Sequence, residues 1–208
     1  MIAIVDYGVG NLFSLKSSFA AIGAEAIVTG DKETIARADK VILPGVGAFA
    51  DAAEKLRQTG LDTFLCELAG KGKPLMGICL GMQMLFEESH EYGVHRGLGL
   101  IPGKVVPLLG KVPAEYKIPQ IGWNGLHFTK SCPIFKDLRE GDCVYFVHSY
   151  YAADCGDALA ATTEYGFPVT AAVQNKNVFG CQFHPEKSGK VGLTILKAFA
   201  ELKEEDLC

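Results

Sequence analysis

Cys79 stands in Leu75-Met76-Gly77-Ile78-Cys79-Leu80-Gly81, a thiol with glycine two residues before it and two after. At the end of an apolar run and the start of a helical pattern, this frame reads as a nucleophile elbow, the sharp strand-to-helix turn that aims one side chain at a substrate. Glycine is required on both flanks because the turn brings neighbouring backbone so close that a β-carbon would collide. The N-terminus of the following helix carries partial positive charge and unpaired N–H groups, which favour a thiolate at Cys79 and an oxyanion beside it. A buried thiol in a glycine-rich turn is the competing reading. His184-Pro185-Glu186, after the strand-like run Asn177 to Phe183, separates the two. Residues two apart in an extended segment share a face, so His184 and Glu186 project together, and Pro185 favours an extended His184. A nucleophile needs a base, and the base needs an orienting group; Cys79, His184 and Glu186 fill the three roles.

The elements that must position these residues alternate between strand and helix. Ile2 to Asp6 is a short apolar strand, followed by a helix with Leu12, Leu15, Phe19 and Ile22 at near-helical spacing and Gly23 at its end. Ala26 to Val28 and Val41 to Leu43 read as two more strands, both too apolar for a half-exposed edge. Phe49, Ala53 and Leu56 mark a helix closed by Gly60, Pro74 to Ile78 is the strand that carries the elbow, and Met82, Leu85 and Phe86 begin its helix. From Val105 to Phe183 strands dominate, with a hairpin expected between Val169 to Val173 and Val178 to Phe183; Val191, Ile195, Phe199 and Leu202 share one face of a last helix. The pattern predicts an α/β fold over residues 1–208 as one domain: an open, mostly parallel sheet flanked by helices, with additional antiparallel strands in the second half.

Two glycine-rich loops follow predicted strands. Gly8-Val9-Gly10 has the start of a dinucleotide fingerprint, but the third glycine of that pattern is replaced by Phe13, which argues against a nucleotide site. Pro44-Gly45-Val46-Gly47 is expected to let backbone N–H groups approach a ligand closely. Beside an elbow, it reads as the second half of an oxyanion hole whose first half is the N–H of Leu80.

Composition excludes several classes. The net charge is −4 and the 20 lysines and arginines are scattered, so the footprint of nucleic-acid binding is missing. No apolar run is long enough for a bilayer and the N-terminus lacks a basic signal region, so no membrane association and a cytoplasmic location are expected. Seven cysteines without paired C-x-x-C spacing argue against a disulfide framework and a structural zinc. His90 and His95 are five apart, the wrong interval for one helical face, so no metal is expected there. Cys143 and Cys181 read as core thiols in apolar runs, and Cys208 as an exposed terminal one.

Pro44-Gly45-Val46-Gly47, Gly77-Ile78-Cys79-Leu80-Gly81-Met82-Gln83 and His184-Pro185-Glu186 resemble the three signature blocks of class I, or triad, glutamine amidotransferases. Asp6 to Leu12, Gly97 to Ile101, Gly122-Trp123-Asn124, Phe146 to Tyr151 and Gln182 to Ser188 are more narrowly similar to the glutaminase subunits of imidazole glycerol phosphate synthases. The resemblance implies that Cys79, His184 and Glu186 hydrolyse L-glutamine, with Leu80, Val46 and Gly47 forming the oxyanion hole and no cofactor. It implies contacts to glutamine from Gly45, Gln83, Glu91, Ser149 and Tyr150, with Glu91 as counter-charge to the ammonium. It also implies a heterodimer with a (β/α)8-barrel cyclase, separate in chain, that receives the ammonia. Asn11, Trp123, Tyr145 and Lys187 match positions at that interface. Pairing with a different synthase, for anthranilate, GMP or pyridoxal phosphate, would keep the same triad, and a binding module without turnover would keep the fold. A cysteine peptidase fits less well, because the glutamine-pocket residues match.

Overall fold

A computed structural model describes residues 1–207; Cys208, expected as an exposed thiol, lies outside the described residues. The chain opens with β1 (Ile2–Val5), α1 (Leu12–Ala21), β2 (Ala26–Thr29), α2 (Lys32–Arg37) and β3 (Lys40–Leu43). Next come α3 (Phe49–Thr59), α4 (Leu61–Gly70), β4 (Leu75–Ile78) and α5 (Leu80–Met84). The strands β5 (Phe86–Ser89), β6 (His95–Arg96), β7 (Ile101–Pro107), β8 (Gln120–Gly125) and β9 (His127–Phe128) follow. β10 (Cys143–His148), β11 (Tyr150–Ala153), β12 (Leu159–Glu164), β13 (Pro168–Asn175) and β14 (Val178–Cys181) complete the strands, and α6 (Gly189–Ala200) is the last α-helix.

The main sheet runs β2-β1-β3-β4-β14-β13-β12-β9. Its first five strands are parallel and its last three antiparallel. The period-two pleat sorts side chains to two layers: Ala3, Val5, Val41 and Leu43 face a core shared with α3 and α4, while Ile2, Ile4, Ile42 and Met76 face α1 and α6. A β8–β10 ribbon and a smaller β11-β7-β5-β6 sheet stand beside it. The fold therefore matches the predicted mostly parallel, helix-flanked sheet with later antiparallel strands.

Three expectations are corrected. β2 is the edge strand and is half-exposed along its length, because its one neighbour is β1. The elbow helix does not reach Leu85 and Phe86; it stops at Met84, and Phe86 opens β5. The carbonyls that end α5 are taken by the segment after β6, with the N–H of Leu98 bonded to Met84 O at 2.8 Å and that of Leu100 to Leu85 O at 2.8 Å. Capture of these carbonyls gives the chain a strand partner where the helix would have continued. Gly97 permits the approach, since a β-carbon there would overlap the carbonyl oxygen of Phe86. Finally, Cys143 is exposed; it opens β10 on the side away from the core and its thiol donates to Gly141 O at 3.6 Å. The helices α2 and α4 are additions to the elements read from the sequence.

Candidate active site

β4 ends in the middle of the parallel sheet, flanked by β3 and β14, so the turn after it opens at the carboxyl edge where α/β folds place their ligands. Cys79 occupies that turn with φ 54° and ψ −113°, a backbone state that a non-glycine residue adopts only under constraint. The constraint is visible: Cys79 N–H donates to Cys181 O of β14 at 2.7 Å, and Cys79 O accepts from Gln83 N–H at 3.1 Å. Both flanking glycines are sterically obligatory. A β-carbon on Gly77 would overlap the carbonyl oxygen of Gly81, and one on Gly81 would overlap that of Leu43.

β14 passes beside β4 and delivers the second block. His184 is extended, at φ −102° and ψ 96°, and Pro185 opens a single 3-10 turn over Pro185–Lys187. This folds Glu186 back so that its Oε1 lies 2.8 Å from His184 Nδ1, with both side chains almost fully buried. The Cys79 sulfur lines the same cleft as His184 and is close enough to favour a proton on its ring. Burial opposes charge on the imidazole, but the sulfur and the Glu186 carboxylate outweigh it and carry the His184 pKa up to about 9. At neutral pH the ring is therefore an imidazolium close to the sulfur, an arrangement suited to a thiolate nucleophile and to protonating a leaving amine.

Cys79 and His184 open into a cleft of about 550 Å³ that is also lined by Val46, Gly47, Leu80, Gln83, Glu91, Ser149, Tyr150 and Lys187, with Glu186 buried behind His184. Most of the sequence-predicted residues thus converge. Gly47 has φ +94° with open space around it, while Val46 is exposed at the cleft rim. Gly45 is the exception: it lies buried behind the loop, where a β-carbon would come within 2.7 Å of Gly81 N. Its smallness lets the loop lie against the elbow, but it does not line the cleft. Glu91 Oε2 accepts from Phe49 N–H at 2.7 Å, so the carboxylate is anchored on the first turn of α3 instead of being a solvated end. Gln83 Nε2 donates to Tyr150 O at 3.1 Å and to Gln182 Oε1 at 3.0 Å, which leaves its carbonyl oxygen as the group available to a ligand.

Beside the cleft, Trp123 and Tyr145 are directly opposed on β8 and β10, their rings 6.0 Å apart, and Lys187 Nζ sits 5.9 Å from the Tyr145 ring centre. Trp123 is 55% exposed, as is the neighbouring Ile121 at 60%. Tyr145 O accepts from His184 N–H at 2.9 Å, which ties this aromatic patch to the His184 segment. Asn11 is the N-cap of α1, two residues before the exposed Phe13, and does not line the cleft.

Four polar or aromatic neighbours were not singled out from the sequence. Tyr7 is buried and its hydroxyl donates to Pro44 O at 2.7 Å, holding the base of the Pro44–Gly47 loop. Burial, reinforced by the nearby Cys79, raises its pKa far above the usual phenol range. His148 lines the cleft with Nδ1–H donating to Tyr150 O at 2.8 Å; burial lowers its pKa to about 4, so it is neutral beside the charged His184. Tyr92 stands over the mouth, its ring 6.3 Å from that of Tyr150. Gln182 is completely buried with Nε2 3.8 Å from the Cys79 sulfur. The 3-10 turn at Pro185, not the two-residue strand period expected from the sequence, is what brings Glu186 to His184.

A family model described as "Glutamine amidotransferase class-I" matches residues 3–201. Among curated relatives, the "Imidazole glycerol phosphate synthase subunit HisH" of Bacillus cereus (strain G9842) is 51% identical over 205 residues, 98% of this chain and 96% of that protein. The protein of the same name from Sulfurimonas denitrificans is 49% identical over 206 residues, 98% of this chain and 99% of its own. Among solved structures, PurLQS from Thermotoga maritima superposes with a TM-score of 0.74 at 21% identity, over 95% of this chain and 96% of the other. A structure described as a glutamine amidotransferase does so at 0.74 and 19% identity, over 96% and 99%. At those identities the structural likeness speaks to the fold.

Proposed function

The chain belongs to the class-I glutamine amidotransferase family, and we propose that it is the glutaminase subunit of an imidazole glycerol phosphate synthase. The observation that carries the chemistry is the 2.8 Å His184–Glu186 pair, with His184 lining the same cleft as the elbow residue Cys79. The narrower assignment is supported by about half of all positions being identical, over nearly the full length, to relatives of that name.

In the proposed reaction the Cys79 thiolate attacks the side-chain amide carbon of glutamine, and the carbonyl electrons move to oxygen. Donors from Leu80 and the Val46–Gly47 loop receive that oxyanion. As the intermediate collapses, the C–N bond breaks, the His184 imidazolium gives its proton to the departing nitrogen, and ammonia leaves a glutamyl thioester. His184, now neutral, takes a proton from water as it adds to the thioester, and glutamate departs with return of the Cys79 thiolate and the His184 imidazolium. Glu186 keeps the ring oriented in both half-reactions. Glu91, held on α3, lies in the same cleft to meet the substrate ammonium, and Ser149 and Tyr150 offer backbone groups beside it.

Ammonia released into water is protonated and lost, so the partner is a cyclase subunit, read here as a (β/α)8 barrel. The Trp123, Tyr145 and Lys187 patch, together with Asn11 at the start of α1, is read as its docking face, and a cytoplasmic location is part of the same reading. Among the described residues no helix is long and apolar enough to cross a membrane. Glutamate release from glutamine, measured for the purified chain alone and with the cyclase plus its nucleotide ligand, tests the reading. Strong activation that disappears in Cys79→Ala is the expected result. Turnover indifferent to the cyclase would overturn the pairing, and no turnover in either state would overturn the chemistry.

A further inference from the structure

The surroundings of the Cys79 sulfur hold one group that the triad does not use. The thiol lies 4.0 Å from Val147 O, an acceptor that suits the neutral S–H, and 3.8 Å from Gln182 Nε2, a donor that suits the thiolate. Charge-assisted hydrogen bonds shorten and strengthen relative to neutral ones, so the second contact gains when the sulfur ionises.

The direction of that amide is fixed by its neighbours. Gln83 Nε2 faces the Tyr150 carbonyl, because the reversed amide would set two acceptors against each other there. That same nitrogen faces Gln182 Oε1 at 3.0 Å; reversing Gln182 would set two donors together. A polarised chain of amides therefore starts at Tyr150 O and ends with Gln182 N–H directed at sulfur. Tyr150 O is itself anchored by His148 Nδ1–H, so the starting point does not turn freely. Gln182 is wholly enclosed and its backbone N–H is bound to Ala171 O at 2.8 Å, which fixes the backbone from which the side chain extends.

We propose that Gln182 is a hydrogen-bond donor to the nucleophile that stabilises the Cys79 thiolate alongside His184, and that Gln83 keeps it aimed. The inference rests on the glutaminase reading and deepens it. Gln83 then acts in two ways, offering its carbonyl to the cleft and its amide nitrogen to this relay. It also gives a reason for glutamine, with its paired donor and acceptor, at both positions.

The test is the pH profile of Cys79 alkylation by iodoacetamide, followed on the Cys79 peptide by mass spectrometry so that other cysteines do not contribute. In Gln182→Met the midpoint is expected to move up by about one pH unit, a roughly tenfold loss of labelling rate below the midpoint. Gln83→Leu is expected to move it in the same direction, and the double variant no further than Gln182→Met alone. Should Gln182→Met not yield folded protein, Gln83→Leu carries the test, since it frees the same amide to rotate. Midpoints equal to that of the parent, or shifts that simply add, would overturn the relay. Protection of Cys79 by glutamine in the parent chain separates this outcome from failure of the functional reading. Protectable labelling with unmoved midpoints removes Gln182's role alone, whereas labelling that glutamine does not slow removes the nucleophile itself.

Discussion

At the scale of single residues, the site turns on how one imidazole is held. Glu186 is bonded to one ring nitrogen of His184 and the Cys79 sulfur is nearby, so both neighbours favour the protonated ring. Replacing Glu186 by Gln keeps the shape and removes the charge. Glutamate release in the presence of the partner is expected to fall by about 10²- to 10⁴-fold, the usual contribution of positioned acid–base catalysis. Unchanged turnover would mean that Glu186 is a structural neighbour only. The same residue gives stability a pH signature. His184 titrates at about 9 in the folded chain against an ordinary 6.5, so the native state binds the proton more tightly. Its contribution is complete below about 6.5 and is lost as the pH rises through about 9. The urea midpoint should therefore fall between neutral pH and about pH 9.5, and the fall should flatten in His184→Gln. Gln182 belongs to this scale as well, since its effect on the sulfur depends on one directed N–H.

At the scale of elements, the elbow exists because β4, α5 and the Pro44–Gly47 loop pack closer than side chains permit. Gly81→Ala would push a β-carbon into the backbone of Leu43, which has no rotamer with which to yield. A loss of about 3 kcal/mol or more, at the upper end of overpacking costs, is expected from chemical denaturation. Gly47→Ala is a contrasting case: φ is +94° but nothing lies within 4 Å. Only the backbone cost of about 1–2 kcal/mol applies to stability, while glutaminase turnover should drop steeply because the loop can no longer present its N–H freely. Equal losses of stability in the two variants would contradict this reading of the loop. The brevity of α5 is also an element-scale effect. Met82, Leu85 and Phe86 have helical spacing, yet the 97–101 segment takes the carbonyls at the helix end and turns the chain into β5.

At the scale of the whole molecule, the cleft opens beside an exposed aromatic patch on the β8–β10 ribbon. An exposed tryptophan braced by Tyr145 and a lysine has the composition of an interface anchor. Trp123→Ala should leave the denaturation midpoint of the isolated chain almost unmoved but weaken cyclase binding by about 2 kcal/mol, roughly 30-fold in Kd, by calorimetric titration. Unaltered affinity would move the docking face elsewhere. The sequence by itself determined the succession along the chain of the main strands and helices that bear the site, the glycine frame of Cys79 and the nearness of Glu186 to His184, though not the 3-10 turn that brings them together. These rest on local sterics and short periodicities, which operate within a few residues along the chain. It did not reveal that β2 is an edge, that Cys143 faces outward, that Gly45 packs behind the cleft or that Gln182 reaches the Cys79 sulfur. Strand order, the direction of a face and the meeting of residues about a hundred positions apart are set by which segments bury one another. Only the folded chain decides that, because burial is a property of the assembled layers and not of any one of them.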